Sequence, residues 1–144
     1  MLKVLFIGGI IITLNVLLQA LGNVVWLKRM VGSFQKKHEI IYSVPTIRLL
    51  VSSFLFLTIL HCIQIGIWAL FYHFNTAISH NFINELDALY FSFVTFTTLG
   101  YGDITLDSEW KLLSGLEAIN GIMLIGWSTA LMYSLIQHIY KNKL

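Results

Sequence analysis

The sequence is poor in charged residues and in cysteine. Only 11% of its 144 residues are charged, whereas 57% are hydrophobic, and the mean hydropathy is +0.78. Because an ordinary soluble domain carries about 25% charged residues, this composition predicts a single domain embedded in a lipid bilayer. The single cysteine, Cys62, excludes an intrachain disulfide framework, and the five scattered histidines give no metal-ligand spacing. A net charge of +2 from nine scattered Lys and Arg residues gives no basic face for nucleic acid.

Long apolar runs occur three times along the chain. The first, residues 4–27, has no charged residue, the second is 49–74, and the third, 112–139, is interrupted by Glu117. At about 1.5 Å per helical residue, each run is long enough to cross a hydrocarbon core of about 30 Å. The first run exceeds the roughly 7 to 15 apolar residues of a signal peptide, so we expect it to remain as a membrane span. The sequence therefore predicts an all-α membrane protein with three transmembrane helices.

The charges outside these runs are segregated by sign. The cations between the first two runs and at the C-terminus are Lys28, Arg29, Lys36, Lys37, Arg48, Lys141 and Lys143. The acids between the second and third runs are Glu85, Asp87, Asp103, Asp107 and Glu109. Since cytoplasmic loops are enriched in Lys and Arg, we expect a multi-pass protein of the cell (inner) membrane with the N-terminus outside. The basic loop, residues 29–47, and the C-terminus would then be cytoplasmic, and residues 1–28 would form an N-terminal transmembrane helix.

A shorter apolar piece lies between the second and third runs. Residues 88–99 are too few to span a bilayer and are therefore predicted to be re-entrant. Asn84 is a candidate N-cap, and Glu85 and Asp87 would fall in the first turn, where the helix dipole favours anions. These signals predict a short helix over residues 85–97.

The residues after this short helix favour an irregular backbone. Gly100 and Gly102 are poor helix formers, and their spacing favours a chain that alternates between negative and positive φ. Carbonyls at membrane depth cost several kcal/mol each when they have no partner. Alternating handedness lets the carbonyls of Thr98, Leu99, Gly100 and Tyr101 point the same way, where a desolvated cation can satisfy them. Residue chemistry alone thus predicts a path for cations.

Residues 97–103, Thr-Thr-Leu-Gly-Tyr-Gly-Asp, resemble the selectivity-filter signature of the potassium-channel family. We call them the signature segment. The resemblance covers about residues 49–138 and leaves the first span outside it. It implies a pore module over residues 48–140, with an outer helix (48–74), a pore helix (85–97), an extended selectivity filter (98–102) and an inner helix (111–139). It also implies that four identical chains assemble and conduct K⁺ passively, with no cofactor besides the permeant ion.

The resemblance assigns roles within the signature segment. The hydroxyl and carbonyl of Thr98 would form the innermost K⁺ site, and the carbonyls of residues 99–101 would line the sites above it. Gly102 would leave the backbone free to turn at the outer mouth of the pore. Thr97 and Asp103 flank these positions and would support the filter.

The resemblance also assigns a support to the filter from the short helix. The Tyr101 side chain would point away from the pore axis into a cuff formed with Tyr90 and Phe91, which stand where many members have Trp-Trp. Val94 occupies a position where some members have a glutamate that pairs with the filter aspartate. In this chain Asp103 would need another partner.

The third span contains an acid and two candidate bending points. Its polar and small stripe consists of Glu117, Asn120, Gly121, Leu124 and Ser128. Because an acid at membrane depth costs a few kcal/mol unless it is paired or hydrated, Glu117 should have a partner. Glu117 either supports the filter from behind or packs as a protonated structural carboxyl. Gly121 and Gly126 are either hinges of the inner helix or sites of close packing.

The first two spans carry further polar residues. Asn15, Gln19 and Asn23 recur every four residues and predict a polar stripe that turns from lipid toward protein. Hydrogen bonding between helices suffices to explain this stripe, and a regulatory role is the alternative. His61 and Gln64 in the second span are predicted to be buried hydrogen-bonding residues rather than ligands.

The predicted function is therefore a homotetrameric K⁺ channel surrounded by membrane lipid. One alternative is a weakly selective cation channel. Another is a non-conducting regulatory subunit that assembles with other channel subunits. An enzyme is not expected, because no nucleophile, base or metal cluster converges on one face.

Overall fold

Helices form nearly all the regular structure of the protein. The structure, a computed structural model, describes residues 1–34, 44–107 and 109–141. Its helices are α1 (Leu2–Phe34), α2 (Val44–Phe74), α3 (Glu85–Phe96) and α4 (Lys111–Lys141), with a 3₁₀ turn at Ser79–Asn81 before α3. These described ranges contain no β-strand.

The three long helices have the dimensions of membrane spans. The stretches long and apolar enough to cross a bilayer are Leu2–Arg29 with 28 residues, Thr46–Phe74 with 29 and Lys111–Tyr140 with 30. Large apolar side chains cover their outer faces; Phe6 of α1 and Met123 of α4 are about 70% exposed. Contact of such an apolar surface with lipid is favourable, whereas its contact with water is unfavourable. The predicted all-α membrane fold with three spans is confirmed.

The first two helices extend beyond the apolar runs that predicted them. α1 continues to Phe34 and α2 begins at Val44, so both ends of the predicted loop 29–47 are helical. Lys and Arg are good helix formers, and therefore the end of an apolar run need not end the helix. Pro45 is accommodated because the N–H groups of a first helical turn have no intrahelical partner. The predicted cytoplasmic cations that lie outside the described residues are Lys36, Lys37 and Lys143.

The short helix α3 begins where its capping signals predict. The Asn84 side chain accepts a hydrogen bond from the Asp87 N–H at 3.0 Å, and Asp87 Oδ2 accepts one from the Ile83 N–H at 3.0 Å. α3 has 12 residues and ends at Phe96, one residue before the predicted end, and Thr97 is its C-cap. At about 1.5 Å per residue it cannot cross a bilayer.

Aromatic side chains hold α3 against its neighbours. Phe91 of α3 meets the ring of Tyr72 of α2 edge-on, with centroids 5.2 Å apart, and contacts Phe82 at 5.6 Å. Trp68 of α2 and Phe96 of α3 are fully buried in the same core. Edge-to-face aromatic pairs add roughly 0.5–1.5 kcal/mol to the burial of their apolar area. This core places the C-terminal end of α3 among the long helices.

Candidate functional site

The backbone turns sharply where α3 meets the signature segment. The N–H groups of Leu99 and Gly100 both donate to the carbonyl of Val94, at 2.9 and 3.2 Å. These bonds close the last turn of α3 and use the amide hydrogens of Leu99 and Gly100. The carbonyl groups that follow are left to find other partners.

Handedness alternates along the signature segment. The φ angles of Thr98, Gly100 and Gly102 are 60°, 57° and 78°, and neither Leu99 nor Tyr101 between them has a positive φ. The alternation predicted from the two glycines is therefore present, and it begins earlier than they do. Thr98 adopts a left-handed conformation that costs a residue with a Cβ about 1–2 kcal/mol. Strain of this kind is concentrated at functional sites.

Four successive carbonyl groups of the segment have no hydrogen-bond donor. Within the described part of the chain, no N–H or O–H donates to the carbonyl oxygen of Thr98, Leu99, Gly100 or Tyr101. The side chains of Leu99 and Tyr101 are 57% and 66% exposed. The segment follows the C-terminal end of α3, where the helix dipole places partial negative charge. These groups together form a run of oxygen acceptors suited to a desolvated cation.

Asp103 at the end of the segment is bound to α3 through a tyrosine. The Tyr90 hydroxyl donates a hydrogen bond to Asp103 Oδ2 at 2.8 Å. This bond is the main cause that raises the pKa of the Tyr90 phenol above its ordinary value. Tyr90 is therefore the partner that Asp103 was predicted to need, because the valine at position 94 cannot form a hydrogen bond with it. Phe91 is 7% exposed and packs into the core of its own chain. The two aromatic residues predicted to form the cuff, Tyr90 and Phe91, therefore have different surroundings.

A groove of about 560 Å³ lies beside the signature segment. Its lining combines α3, the segment, the loop that follows and the first turns of α4: Phe91, Val94, Thr95, Thr98, Gly100, Gly102, Asp103, Ile104, Thr105, Leu106, Lys111, Ser114, Gly115 and Ala118. The segment is therefore covered on one side by its own chain and open on the other.

The backbone of α4 lies directly against the end of α3. A Cβ built on Gly121 would overlap the carbonyl oxygen of Phe96, the last residue of α3. A Cβ built on Gly126 would meet nothing within 4 Å. The two candidate hinges therefore differ, since Gly121 permits a close approach of two helices and Gly126 lies in open space.

Glu117 has the partner that its position in a membrane span required. It is fully buried, and its Oε2 accepts a hydrogen bond from the Tyr72 hydroxyl of α2 at 2.7 Å. The buried hydroxyl of Ser92 on α3 lies next to the same carboxyl. Neither Glu117 Oε1 nor Ser92 Oγ has a hydrogen-bond partner among the described residues. The carboxyl thus joins α4 to α2 beside the helix that leads into the signature segment.

The polar residues predicted on the first two spans face protein. Asn15, Gln19 and Asn23 are at most 4% exposed. His61 Nδ1 and Gln64 Oε1 are 2.8 Å apart, which confirms a hydrogen-bonding pair; Gln64 is fully buried as predicted, and His61 is half-buried. The predicted inward turn of the stripe on α1 is confirmed.

Several residues around the site were not identified from the sequence. Trp68 and Tyr72 follow Gln64, which the sequence did predict, at intervals of four residues along α2, so the spacing could have placed two further hydrogen-bond donors on the same face. Ser92 and Phe96 carry no comparable signal, because a serine or a phenylalanine in an apolar helix has many possible neighbours.

An all-α membrane protein in which a non-spanning helix leads into exposed, unpaired carbonyls has the organisation of a protein that moves ions. The family described as "Ion channel" matches residues 49–138, more than half of the chain. The chain therefore belongs to this ion-channel family, which is not a class of enzymes. The match covers α2, α3 and most of α4, and α1 precedes it. No curated protein and no solved structure matches the chain.

Proposed function

We propose that the protein is a passive, K⁺-selective channel in which residues 98–102 of four identical chains form the selectivity filter. The alternating backbone of this segment is the observation that supports the proposal most strongly. It leaves four successive carbonyls without a donor in the described chain. At membrane depth such groups cost several kcal/mol each unless a ligand satisfies them.

The permeant ion would satisfy these groups. Rings of carbonyl oxygens replace the hydration shell of K⁺, and repulsion between ions at adjacent sites keeps binding weak enough for release. The carbonyls of residues 99–101 would form the rings. The Thr98 hydroxyl would add a ligand at the innermost site. Conduction is then passive and follows the electrochemical gradient of K⁺.

A ring of carbonyls requires several chains. One chain contributes one signature segment, and closed rotational symmetry is the common way in which identical subunits surround an axis. The exposed side chains of Leu99 and Tyr101 and the open groove beside the segment support a contact with a neighbouring copy. In the proposed tetramer Tyr101 points away from the axis into the cuff formed with Tyr90 and Phe91, of which Tyr90 is the more exposed.

The residues around the segment would stabilise its carbonyl arrangement. Glu117 lies behind α3 and would support the filter through Ser92, while Thr97 and the pair of Tyr90 and Asp103 would hold its two ends. Glu117→Gln is expected to change inactivation of the current and its pH dependence. Equal inactivation in both proteins would leave the carboxyl with a structural role alone.

Of the two candidate hinges of the inner helix α4, one is free of close contacts. We propose Gly126 as the bending point, because Gly121 is occupied by its contact with Phe96. The part of α4 that precedes Gly126 would then remain fixed while the part that follows it moves.

The charge distribution supports a cytoplasmic loop between α1 and α2 and an N-terminus outside the cell membrane. Lys28 and Arg29 lie at the end of the apolar stretch of α1. Asp103 and Asp107 lie at the opposite ends of the spans, beside the beginning of α4. Labelling of a cysteine introduced at Glu109 by an impermeant maleimide in intact cells tests this orientation.

Potassium flux from liposomes that contain the purified protein tests conduction and its path together. Gly100→Ala would force a residue with a Cβ into left-handed backbone, at about 1–2 kcal/mol per subunit. Four copies together cost at least about 4 kcal/mol, which predicts a fall in flux of about a thousandfold or more. Gly9→Ala is the matched control, because a Cβ at Gly9 meets nothing within 4 Å. Equal flux from Gly100→Ala and wild type would contradict the proposed path.

The alternatives give different results in the same preparation. A weakly selective cation channel would show a reversal potential near zero with K⁺ on one side and Na⁺ on the other. A regulatory subunit would form tetramers that carry no flux alone and would conduct only with a second channel protein. The proposed function requires both flux and preference for K⁺.

A further inference from the structure

Helix α1 lies outside the part of the chain that matches the ion-channel family, yet the second half of its buried face is polar. The family match begins at residue 49, after α1 has ended. Asn15 and Gln19 of α1 are both fully buried. A helix that served only as an anchor in lipid would have no need of amide side chains on its buried face. The partners of these two residues therefore indicate what α1 does.

Asn15 joins α1 to α4 and α2 at one level of the bundle. Its Nδ2 donates to Asn120 Oδ1 of α4 at 2.9 Å. The same oxygen accepts a second hydrogen bond from Trp68 Nε1 of α2 at 3.2 Å. Asn120 is 2% exposed, so both bonds are shielded from competing water. One side chain of α4 is thus held by donors from two helices.

Gln19 repeats this arrangement one helical turn further along α1. Its Nε2 donates to Ser128 Oγ of α4 at 2.9 Å, and its Oε1 accepts from Gln64 Nε2 of α2 at 2.8 Å. His61 in turn contacts Gln64 at 2.8 Å. The two levels together hold α4 at positions eight residues apart. We call Asn15 and Gln19 with these partners the α1 clamp.

The level of the clamp that contains Asn15 and Asn120 lies beside a close contact between two helix backbones. Asn120 immediately precedes Gly121, which lies against the Phe96 carbonyl at the end of α3. Phe96 is followed by the signature segment, whose backbone alternates in hand. A displacement of Asn120 moves Gly121 with it, because both belong to the same helical turn. The end of α3 would then lose the surface that supports it.

We propose that α1 is a positioning element of the channel, in which Asn15 and Gln19 hold α4 against α3 and thereby stabilise the conducting arrangement of the filter. This inference rests on the proposed function. Neither residue touches the ion; both act through α4. Loss of the clamp lowers the probability that the channel is open and leaves its selectivity intact, since the filter residues are unchanged.

Single-channel recording of the full-length protein in lipid bilayers tests the clamp. Asn15→Leu and Gln19→Leu keep a buried side chain of similar size and remove the hydrogen bonds. Each of the four subunits loses its bond to Asn120 in Asn15→Leu, and its bonds to Ser128 and Gln64 in Gln19→Leu. We therefore expect open probability to fall about tenfold or more in either variant, with the larger fall in Gln19→Leu. Unitary conductance and the K⁺/Na⁺ reversal potential are expected to stay at wild-type values. Leu17→Ala is the matched control, because Leu17 is 55% exposed on the other side of α1. This variant should leave open probability unchanged.

A double-mutant cycle separates a specific contact from general loosening of the bundle. Ser128→Ala removes only the α4 partner of Gln19 and leaves its bond to Gln64 in place. If Gln19 acts through Ser128, the alanine variant alone lowers open probability, and it adds less than its own effect to Gln19→Leu. Ser128→Ala also decides the matter if the leucine variants fail to assemble, because it is the smallest change.

The outcomes distinguish this inference from the proposed function. Wild-type channels that conduct, with open probability unchanged in Asn15→Leu, Gln19→Leu and Ser128→Ala, would overturn the clamp and leave the channel function standing. A changed reversal potential in these variants would also overturn it, because the effect would then lie in the filter itself. A wild-type tetramer without K⁺ flux would remove the proposed function and the clamp with it.

Discussion

The signature segment differs from the buried contacts among the long helices in how its hydrogen-bond acceptors are paired. In the segment, four successive backbone carbonyls accept no hydrogen bond from the described residues. Between the helices, a single side-chain oxygen of Asn120 accepts two. Both regions lie between helices of membrane-spanning length, where an unpaired polar group is costly. The comparison teaches that a consecutive run of unpaired acceptors marks where a ligand from outside the chain is needed, and paired acceptors mark where the chain holds itself together.

Most buried polar side chains of the described helices have a hydrogen-bond partner, and the unpaired atoms among them are scattered. The buried side-chain atoms without a partner among the described residues are Asn15 Oδ1, Asn23 Nδ2, His61 Nε2, Ser92 Oγ and Glu117 Oε1. All but Ser92 belong to residues whose other polar atom is hydrogen-bonded. The unpaired carbonyls of the segment, in contrast, occur consecutively and on exposed residues. Their grouping, rather than their number, sets the two regions apart.

Substitution at the contact that joins the two regions should have the largest effect. Gly121→Ala places a Cβ against the Phe96 carbonyl, and a backbone group cannot rotate away as a side chain can. Overpacking a well-packed site costs about 1–3 kcal/mol, and we expect the upper end of that range. The free energy of unfolding in detergent measures the effect. Gly126→Ala, which meets no atom within 4 Å, is the control, and equal stability of the two variants would contradict the close contact.

Removal of the acid from the paired region should have the second largest effect. Glu117→Ala leaves the buried Tyr72 hydroxyl without its acceptor, which costs about 1–3 kcal/mol. Glu117→Gln retains an acceptor oxygen, so we expect a smaller loss. The midpoint of thermal unfolding compares the two variants with wild type.

A matched background checks the reason for this loss. If the cost of Glu117→Ala comes from the orphaned hydroxyl, it should shrink in a Tyr72→Phe protein, where no hydroxyl remains. An undiminished cost in that background would assign the loss to the cavity instead.

The hydrogen bond at the end of the signature segment should have the smallest effect, because it is exposed. Tyr90→Phe removes the donor to Asp103 and is expected to speed inactivation of the current at neutral pH while the fold is retained. The bond raises the pKa of the phenol in the folded protein, so its contribution is complete below the ordinary pKa of tyrosine. That contribution is lost as the pH rises through the raised value.

Titration of tyrosine absorbance measures this pKa directly. A phenol that titrates above the ordinary pKa of tyrosine should be missing from the Tyr90→Phe protein. Identical titration curves for the two proteins would contradict the shift.

Much of the fold could be predicted because it follows from local composition. The apolar runs predicted three spans, and Asn84 with its neighbouring acids predicted where α3 begins. The ends of α1 and α2 were less well predicted, since charged residues continue a helix after it has left the apolar run. Gly100 and Gly102 predicted the alternating backbone, but the left-handed Thr98 was not predicted, because a β-branched residue does not favour that conformation.

The pairing of side chains could be predicted only in part. The stripe of Asn15, Gln19 and Asn23 predicted a face directed toward protein, and Glu117 predicted that a partner exists. The identity of the partners was beyond sequence reasoning. Asn15 and Asn120 are 105 residues apart in the chain, and only the packing of α1 against α4 brings them together.

The sequence by itself determined that this is an all-helical membrane protein with a short, non-spanning helix and a glycine-containing turn, because periodicity, run length and backbone preference act over a few residues. Tertiary structure alone decided that Gly121 serves packing, that Tyr90 binds Asp103, and that α1 is hydrogen-bonded to the helix proposed to line the pore. These outcomes depend on distances between residues far apart in the chain, and those distances are set only when the helices pack.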